Sequence, residues 1–236
     1  MNAFIGYILN RQFFKHFIKN PSDIKFLLHY LERESKLVKL TGEEKEKIKR
    51  LLNEAENIRK YIIDKLSKIH AFHGAMVSPL EGPIIYTIIR YFKPRIVVET
   101  GVANGASSTF ILSALEKNNL GKLYSIDLPS KDLLLKEEIG WLVPQYLRHR
   151  WELIIGDSKI VLPKLLAELG YVDIFLHDSL HTLEHVLFEL KESYNYIPKG
   201  GFLIVDDINV DWIGKINQEI KTEKSELFYD LLVLKK

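Results

Sequence analysis

The sequence predicts an α/β protein in which a doubly wound, mostly parallel sheet follows a helical extension. Three observations predict it. From residue 76 onward short β-rich runs alternate with helical patterns, as parallel strands joined by crossover helices require. Runs such as Ile96-Val97-Val98 and Phe202-Leu203-Ile204-Val205 are continuously apolar, which suits strands covered on both faces. Residues 1–75 differ in texture: they are rich in Lys, Glu, Leu and Ile and hold no convincing strand. The expected division is therefore a helical extension or lid over 1–75 and a sheet domain over 76–236.

The elements follow in order. The aromatic stretch Phe4, Tyr7, Phe13, Phe14 and Phe17 is read as a segment that packs on the main domain or a second subunit and forms a lid; a membrane-surface helix is the alternative. Pro21-Ser22-Asp23 is a helix start, and Ile24, Leu27, Leu28 and Leu31 follow at helical spacing. Thr41-Gly42-Glu43-Glu44 reads as a capping box in which the Glu44 amide donates to the Thr41 hydroxyl. From there Ile48, Leu51, Leu52, Ala55, Ile58, Ile62, Leu66 and Ile69 form one apolar stripe, ending near Gly74. His70 and His73 either line a pocket or sit at an exposed helix end, where His favours the dipole.

In the second region the strands expected are Arg95–Glu99, Leu123–Asp127, Leu153–Gly156, Val172–His177 and Phe202–Asp206. Helices are expected over Leu80–Phe92, Ala106–Lys117, Lys131–Leu147, Ser158–Leu169, His181–Tyr196 and Trp212–Lys221. The closing LFYDLLVLKK is a further strand with no helix after it, which fits antiparallel insertion at or near an edge.

Composition narrows the function. With 236 residues, 47% hydrophobic and 27% charged, the chain can bury a core of ordinary size. Lys plus Arg is 33 against 31 Asp plus Glu, so the net charge of +2 argues against bulk electrostatic binding of nucleic acid, and no DNA partner is expected. The absence of cysteine excludes disulfides, thiolate zinc sites, iron–sulfur clusters and a cysteine nucleophile, and it fits a cytoplasmic protein. No apolar run approaches the roughly 20 residues of a membrane helix. The first residues lack the basic and small-residue features of a signal peptide. Few Gln, no Cys and many Ile, Lys and Glu point to a thermophile.

The chemistry gathers at the expected strand ends. In VVETGVANGASSTFIL a buried strand ends at Glu99, a tight turn holds Gly101 and Gly105, and a helix opens near Ala106. Glycine lets the backbone approach a ligand, and the helix N-terminus offers free amides; a plain strand–helix turn that needs glycines is the alternative. The G-x-x-x-G spacing differs from the G-x-G-x-x-G of dinucleotide cradles. Asp127 closes the next strand, where an acid can accept both hydroxyls of a ribose. Gly156-Asp157-Ser158 follows the third strand and can bond an adenine edge, while Ser158 also suits a helix N-cap.

Further along, Asp178 ends one strand and Asp206-Asp207 the next, all on the rim that carries the glycine turn. Three carboxylates there repel unless protonated, separated or neutralised, and Mg²⁺ with oxygen ligands is the simplest neutraliser. His181, three residues after Asp178, is a candidate base, and His185 one helical turn on competes with it. H-T-L-E-H is not the H-E-x-x-H of zinc proteases.

Over residues 76–236 these motifs resemble the class I S-adenosylmethionine-dependent methyltransferases, which have a Rossmann-like fold, and most closely the metal-dependent small-molecule O-methyltransferases of the catechol and caffeoyl type. Glu99, Gly101 and Gly105 resemble the family's first motif; Ala103 stands where many members have a further glycine, a departure shared by that branch. The resemblance makes Asp127 the ribose acid, with Leu128 beside it. It makes Gly156, Asp157 and Ser158 the adenine loop and assigns the methionine carboxylate to Ser107. Met76, Val77 and Ser78 resemble the segment that covers the cofactor, and Ser179 is assigned to the same site. It also implies that Asp178, Asp206 and Asp207 hold Mg²⁺, and that the sheet has seven strands in the order 3-2-1-4-5-7-6, with strand 7 antiparallel; the last twenty or so residues are a tight fit for the hairpin, which leaves room for a strand 6 that is short or missing.

The activity so implied is methyl transfer from S-adenosylmethionine to a small-molecule hydroxyl (EC 2.1.1.-), with the extension as a lid or homodimer interface. Three rivals remain: a nicotinamide-dependent oxidoreductase, a non-catalytic cofactor-binding or scaffold protein, and a protein or RNA methyltransferase docking through the N-terminal helices. No Asn-Pro-Pro-Tyr or Asp-Pro-Pro-Tyr run follows the fourth strand, so adenine methylation loses support.

Overall fold

A computed structural model describes residues 21–67, 81–128 and 139–236, with side chains of the first helix described from residue 31. The expectations for Phe4 to Phe17, for His70 and His73, and for Met76, Val77 and Ser78 lie outside the described residues.

The chain forms helices α1 (Pro21–Thr41), α2 (Lys45–Ser67) and α3 (Glu81–Phe92) before the first strand, β1 (Ile96–Thr100). Then come α4 (Ala106–Asn118), β2 (Lys122–Asp127), a 3₁₀ turn (Gln145–Arg150), β3 (Trp151–Ile155), α5 (Ser158–Leu169) and β4 (Ile174–His177). The chain closes with α6 (Leu183–Tyr194), β5 (Phe202–Val205), α7 (Ile213–Glu219), β6 (Lys224–Phe228) and β7 (Leu231–Lys235).

The seven strands lie in the order β3-β2-β1-β4-β5-β7-β6. Strands β1 to β5 pair in parallel, while β7 runs antiparallel to both β5 and β6. The order and the antiparallel strand are those the resemblance implies. Strand 6 is neither short nor missing: five residues of β6 pair with five of β7. LFYDLLVLKK is accordingly not one strand but a hairpin end, broken at Tyr229 by a left-handed backbone (φ 62).

Alternation along the strands builds two cores. Val97, Leu123, Ile174, Leu176, Phe202 and Ile204 point to one face, while Val98, Ile126, Phe175, Leu203 and Val205 point to the other. The first face is covered by α1 to α4, the second by α5 to α7. Leu37 and Leu40 of α1 and Ile48, Leu52 and Ala55 of α2 join Ile85, Ile88 and Ile89 of α3 in one buried cluster. The helices of the extension thus share the core of the sheet. Polar ties reinforce this, with Tyr91 Oη donating to Thr41 O at 2.8 Å and Arg90 meeting Glu54 at 3.0 Å.

Two local expectations are corrected. The capping box is not formed. Gly42, with φ 75, ends α1 by donating to Val38 O, so Thr41 belongs to the last turn of α1, where its hydroxyl donates to Leu37 O. The helix expected over Lys131–Leu147 is absent from its described part: residues 139–144 form turns around Gly140 and Pro144, and the 3₁₀ turn follows.

Candidate functional site

The order of strands reverses at β1, which pairs with β2 on one side and β4 on the other. Ligands of open α/β sheets bind in the crevice at such a point, outside the carboxyl ends of the strands. The expected site residues at the ends of β1 to β5 meet there because parallel pairing puts those carboxyl ends on one rim.

Gly101 is fixed by sterics. Its φ is 82, and a Cβ would stand 1.8 Å from the carbonyl oxygen of Asp178, so only glycine lets the ends of β1 and β4 close up. Gly105 (φ 86) is the N-cap of α4, and a Cβ there would meet Gly140 Cα at 2.8 Å. The turn at 139–144 docks on the loop through Gly140 N to Ala103 O and Leu142 N to Asn104 O, both 2.9 Å. Ala103, at φ 46, takes a conformation glycine would hold more easily.

Asp127 organises this loop. Its Oδ2 accepts from the amides of Val102 (2.9 Å) and Ala103 (2.8 Å), while Oδ1 takes no hydrogen bond among the described residues. Leu128 beside it is 59% exposed and Ile155, at the end of β3, is 54% exposed. They flank Gly156, whose amide donates to Asp127 O at 2.9 Å. An acid with one free oxygen thus stands beside an uncovered apolar surface.

Beneath the loop, Glu99 is fully buried and its Oε2 accepts from Ser108 (2.6 Å) and Ser125 (2.7 Å). Burial pushes its carboxyl up to about 7, and the charge of Asp127 adds to the shift, while the hydroxyls of Ser107, Ser108 and Ser125 oppose it. Because the folded-state value is raised, the cost is absent below the ordinary value of 4.5 and complete above about 7, where it amounts to about 3 kcal/mol. In urea titrations, Glu99→Gln should gain stability relative to the parent as pH rises from 5 to 8. A difference that stays constant with pH would refute the assignment.

The acidic rim is arranged as two plus one. Asp178 and Asp206 lie within hydrogen-bonding reach of each other; the Asp178 side chain is 18% exposed and Asp206 is 3% exposed. Burial raises both well above the usual carboxylate range. For Asp178 the charges of Glu99, Asp207 and Asp127 add to it, and for Asp206 those of Asp178 and Asp207. Asp207 has a left-handed backbone (φ 51) and stands across the ring of His181, with Oδ2 3.7 Å from Nδ1. His181 Nε2 lies 3.7 Å from Asp178 Oδ1. The expected triad therefore does not converge. Among the described residues no three His, Asp or Glu side chains gather as a metal-binding group. Asp178 and Asp206 nevertheless fit a hard divalent cation: they are paired oxygen donors, and Asp206 Oδ1 is buried without a hydrogen-bond partner. Water or a substrate oxygen would complete the shell, as is common for Mg²⁺.

The two candidate bases separate. Thr182 is the N-cap of α6, so His181 precedes the helix and does not share a helical face with His185. His185 is 4% exposed and turned inward, its Nε2 2.8 Å from Glu189 Oε1 and 3.0 Å from Ser158 Oγ. Ser158 is thereby committed to the interior and not to an adenine edge. Asp157 is exposed and caps α5 by accepting from Lys159 N. Ser107 is buried beside Glu99, and Ser179 donates to Glu189 Oε1 at 3.0 Å. Three residues were not foreseen. Ile155 and Asn104 (6% exposed, Nδ2 unpartnered) gave no signal beyond lying next to motifs, and Glu189 gave none.

Residues 98–208 match a family model described as a methyltransferase domain. An O-methyltransferase from Bacillus cereus, solved in complex with S-adenosylhomocysteine, is similar with a TM-score of 0.54 at 14% identity, over 77% of this chain and 91% of that one. A structure from Klebsiella pneumoniae gives 0.52 at 14% identity, over 86% and 96%. A methyltransferase from Geobacter sulfurreducens gives 0.50 at 19% identity, over 68% and 80%. No curated protein matches the sequence. At these identities the structural likeness is one of fold.

Proposed function

We propose, from the match of residues 98–208 to a methyltransferase-domain model and the strand order of the sheet, that this protein transfers the methyl group of S-adenosylmethionine to a hydroxyl oxygen of a small molecule. The observation that carries the reading is Asp127. It holds the glycine loop with one carboxylate oxygen and keeps the other free at the end of β2, beside exposed Leu128 and Ile155. A ribose diol would bond to the free oxygen, and an adenine face would cover the apolar pair. The N-terminus of α4 suits the carboxylate of the methionine moiety.

Beyond the sulfonium, His181 serves as the base. Its Nε2 is buried toward Asp178, while Nδ1 lies 3.7 Å from the exposed Asp207, so a substrate hydroxyl entering beside Asp207 would meet Nδ1. Proton removal as the methyl arrives sharpens the oxygen nucleophile. Holding the acceptor oxygen in line with the methyl–sulfur bond supplies much of the acceleration. Asp178 and Asp206 would hold a divalent cation, which when bound supplies Lewis acidity to the acceptor hydroxyl.

The test is calorimetry with S-adenosylhomocysteine, then transfer of labelled methyl to a panel of small hydroxyl compounds with and without EDTA. Binding in the micromolar range and transfer lost in EDTA but restored by Mg²⁺ are expected. Absence of binding would refute the reading, and transfer indifferent to EDTA would remove the cation from it.

A further inference from the structure

Under the rim lies a buried polar cluster that the proposed chemistry does not use. Its centre is Glu189 on α6, which is fully buried. Its two oxygens take four contacts. Thr100 Oγ1 donates to Oε2, and His177 Nδ1 lies 2.6 Å from the same oxygen. Ser179 Oγ donates to Oε1 at 3.0 Å, and His185 Nε2 lies 2.8 Å from it. Burial alone would raise this carboxyl, but the hydrogen bonds from His177 and His185 override it and hold it well below the usual range. An ionised Glu189 can only accept, so the facing nitrogens must carry protons. That fixes His177 as the Nδ1–H form and His185 as a form protonated at Nε2.

The placement of the four donors gives the cluster its meaning. Thr100 immediately precedes Gly101. His177 and Ser179 flank Asp178, and His185 also touches Ser158, the first residue of α5. One carboxylate thus ties the ends of β1 and β4 and the start of α5 from below. The ends of β1 and β4 and the start of α5 thus meet on α6.

We propose that Glu189 is a positioning residue, a buried carboxylate that sets the floor of the cofactor site by fixing the backbone at Gly101 and Asp178 through these four donors. The proposal rests on the reading of that crevice as the S-adenosylmethionine site. The amide of Glu189→Gln keeps one acceptor oxygen and turns two donor hydrogens toward the donors on the other side, so the pair of contacts on that side is lost. Thr100→Val removes one donor without changing shape.

The experiment uses the full chain in two measurements. With histidine and backbone ¹⁵N labels, NMR should show slowly exchanging Nδ1–H on His177 and Nε2–H on His185. Both signals should be lost or displaced in Glu189→Gln, together with the Gly101 and Asp178 amides. Calorimetry well below the melting temperature should show S-adenosylhomocysteine affinity reduced at least tenfold in Glu189→Gln and at least threefold in Thr100→Val. Should Glu189→Gln fail to fold, Thr100→Val decides alone. Parental affinity in folded variants, even with a lowered melting temperature, would assign Glu189 to stability only and overturn the proposal. If the parent itself binds no S-adenosylhomocysteine, the cofactor reading falls. Unmoved Gly101 and Asp178 amides would then overturn the positioning role as well, and moved amides would support it.

Discussion

Replacing Asp127 with Ala should weaken binding of S-adenosylhomocysteine about 100-fold or more, the loss expected from removing charge-assisted hydrogen bonds to a diol. The structure adds a reason for the size of the effect. Asp127 Oδ2 also accepts from the amides of Val102 and Ala103, so the alanine variant frees the glycine loop as well as removing the acceptor. Asp127→Asn separates the two. An asparagine oxygen can keep the two loop amides, but its amide nitrogen replaces the free acceptor, so ribose bonding is weakened while the loop stays. Calorimetry should therefore rank the parent tightest, Asp127→Asn intermediate and Asp127→Ala weakest. Equal affinity in parent and alanine variants would remove Asp127 from the site and take the main support from the functional reading with it.

How far the site could be read from the sequence follows from what periodicity encodes. Buried parallel strands are continuous apolar runs, so the residue that breaks each run marks a strand end. Glu99, Asp178 and Asp206 each lie within two residues of the end of such a run and Asp127 closes β2, and parallel pairing puts these strand ends on one rim. Side-chain direction at the rim is set by single backbone angles, which periodicity does not carry. Asp207 follows Asp206 directly, yet a left-handed φ of 51 swings it across His181 and breaks the expected triad. Glu189 shows the complementary failure. A Glu within LEHVLFELKESY reads as part of a solvated helix face, and although His185 lies one turn before it, nothing local reveals that His177 and the hydroxyls of Thr100 and Ser179 also converge on it. Capping was the same kind of problem. Thr182 caps α6 and so places His181 outside the helix, while Gly42 terminates α1 before Thr41 can cap α2.

His181→Gln should lower the rate of methyl transfer by about 10²- to 10⁴-fold, the range associated with loss of a positioned base, and leave S-adenosylhomocysteine affinity within about twofold of the parent. The split follows from position. His181 lies between Asp178 and Asp207 on the β4–β5 side of the rim, with 30% of its side chain exposed. It touches neither the glycine loop nor Asp127 in any described contact. Cofactor binding and proton removal are thereby assigned to different strand ends of one crevice, Asp127 to β2 and His181 to the segment after β4. His185 cannot stand in for it: its Nε2 is committed to Glu189 and Ser158, and its Nδ1 is buried. A His181→Gln protein that methylates at the parental rate would show that the acceptor arrives already ionised, by the cation or by its own acidity. One that loses cofactor affinity as much as rate would place His181 among the binding groups instead. Only a fall in rate at constant affinity identifies His181 as the proton acceptor.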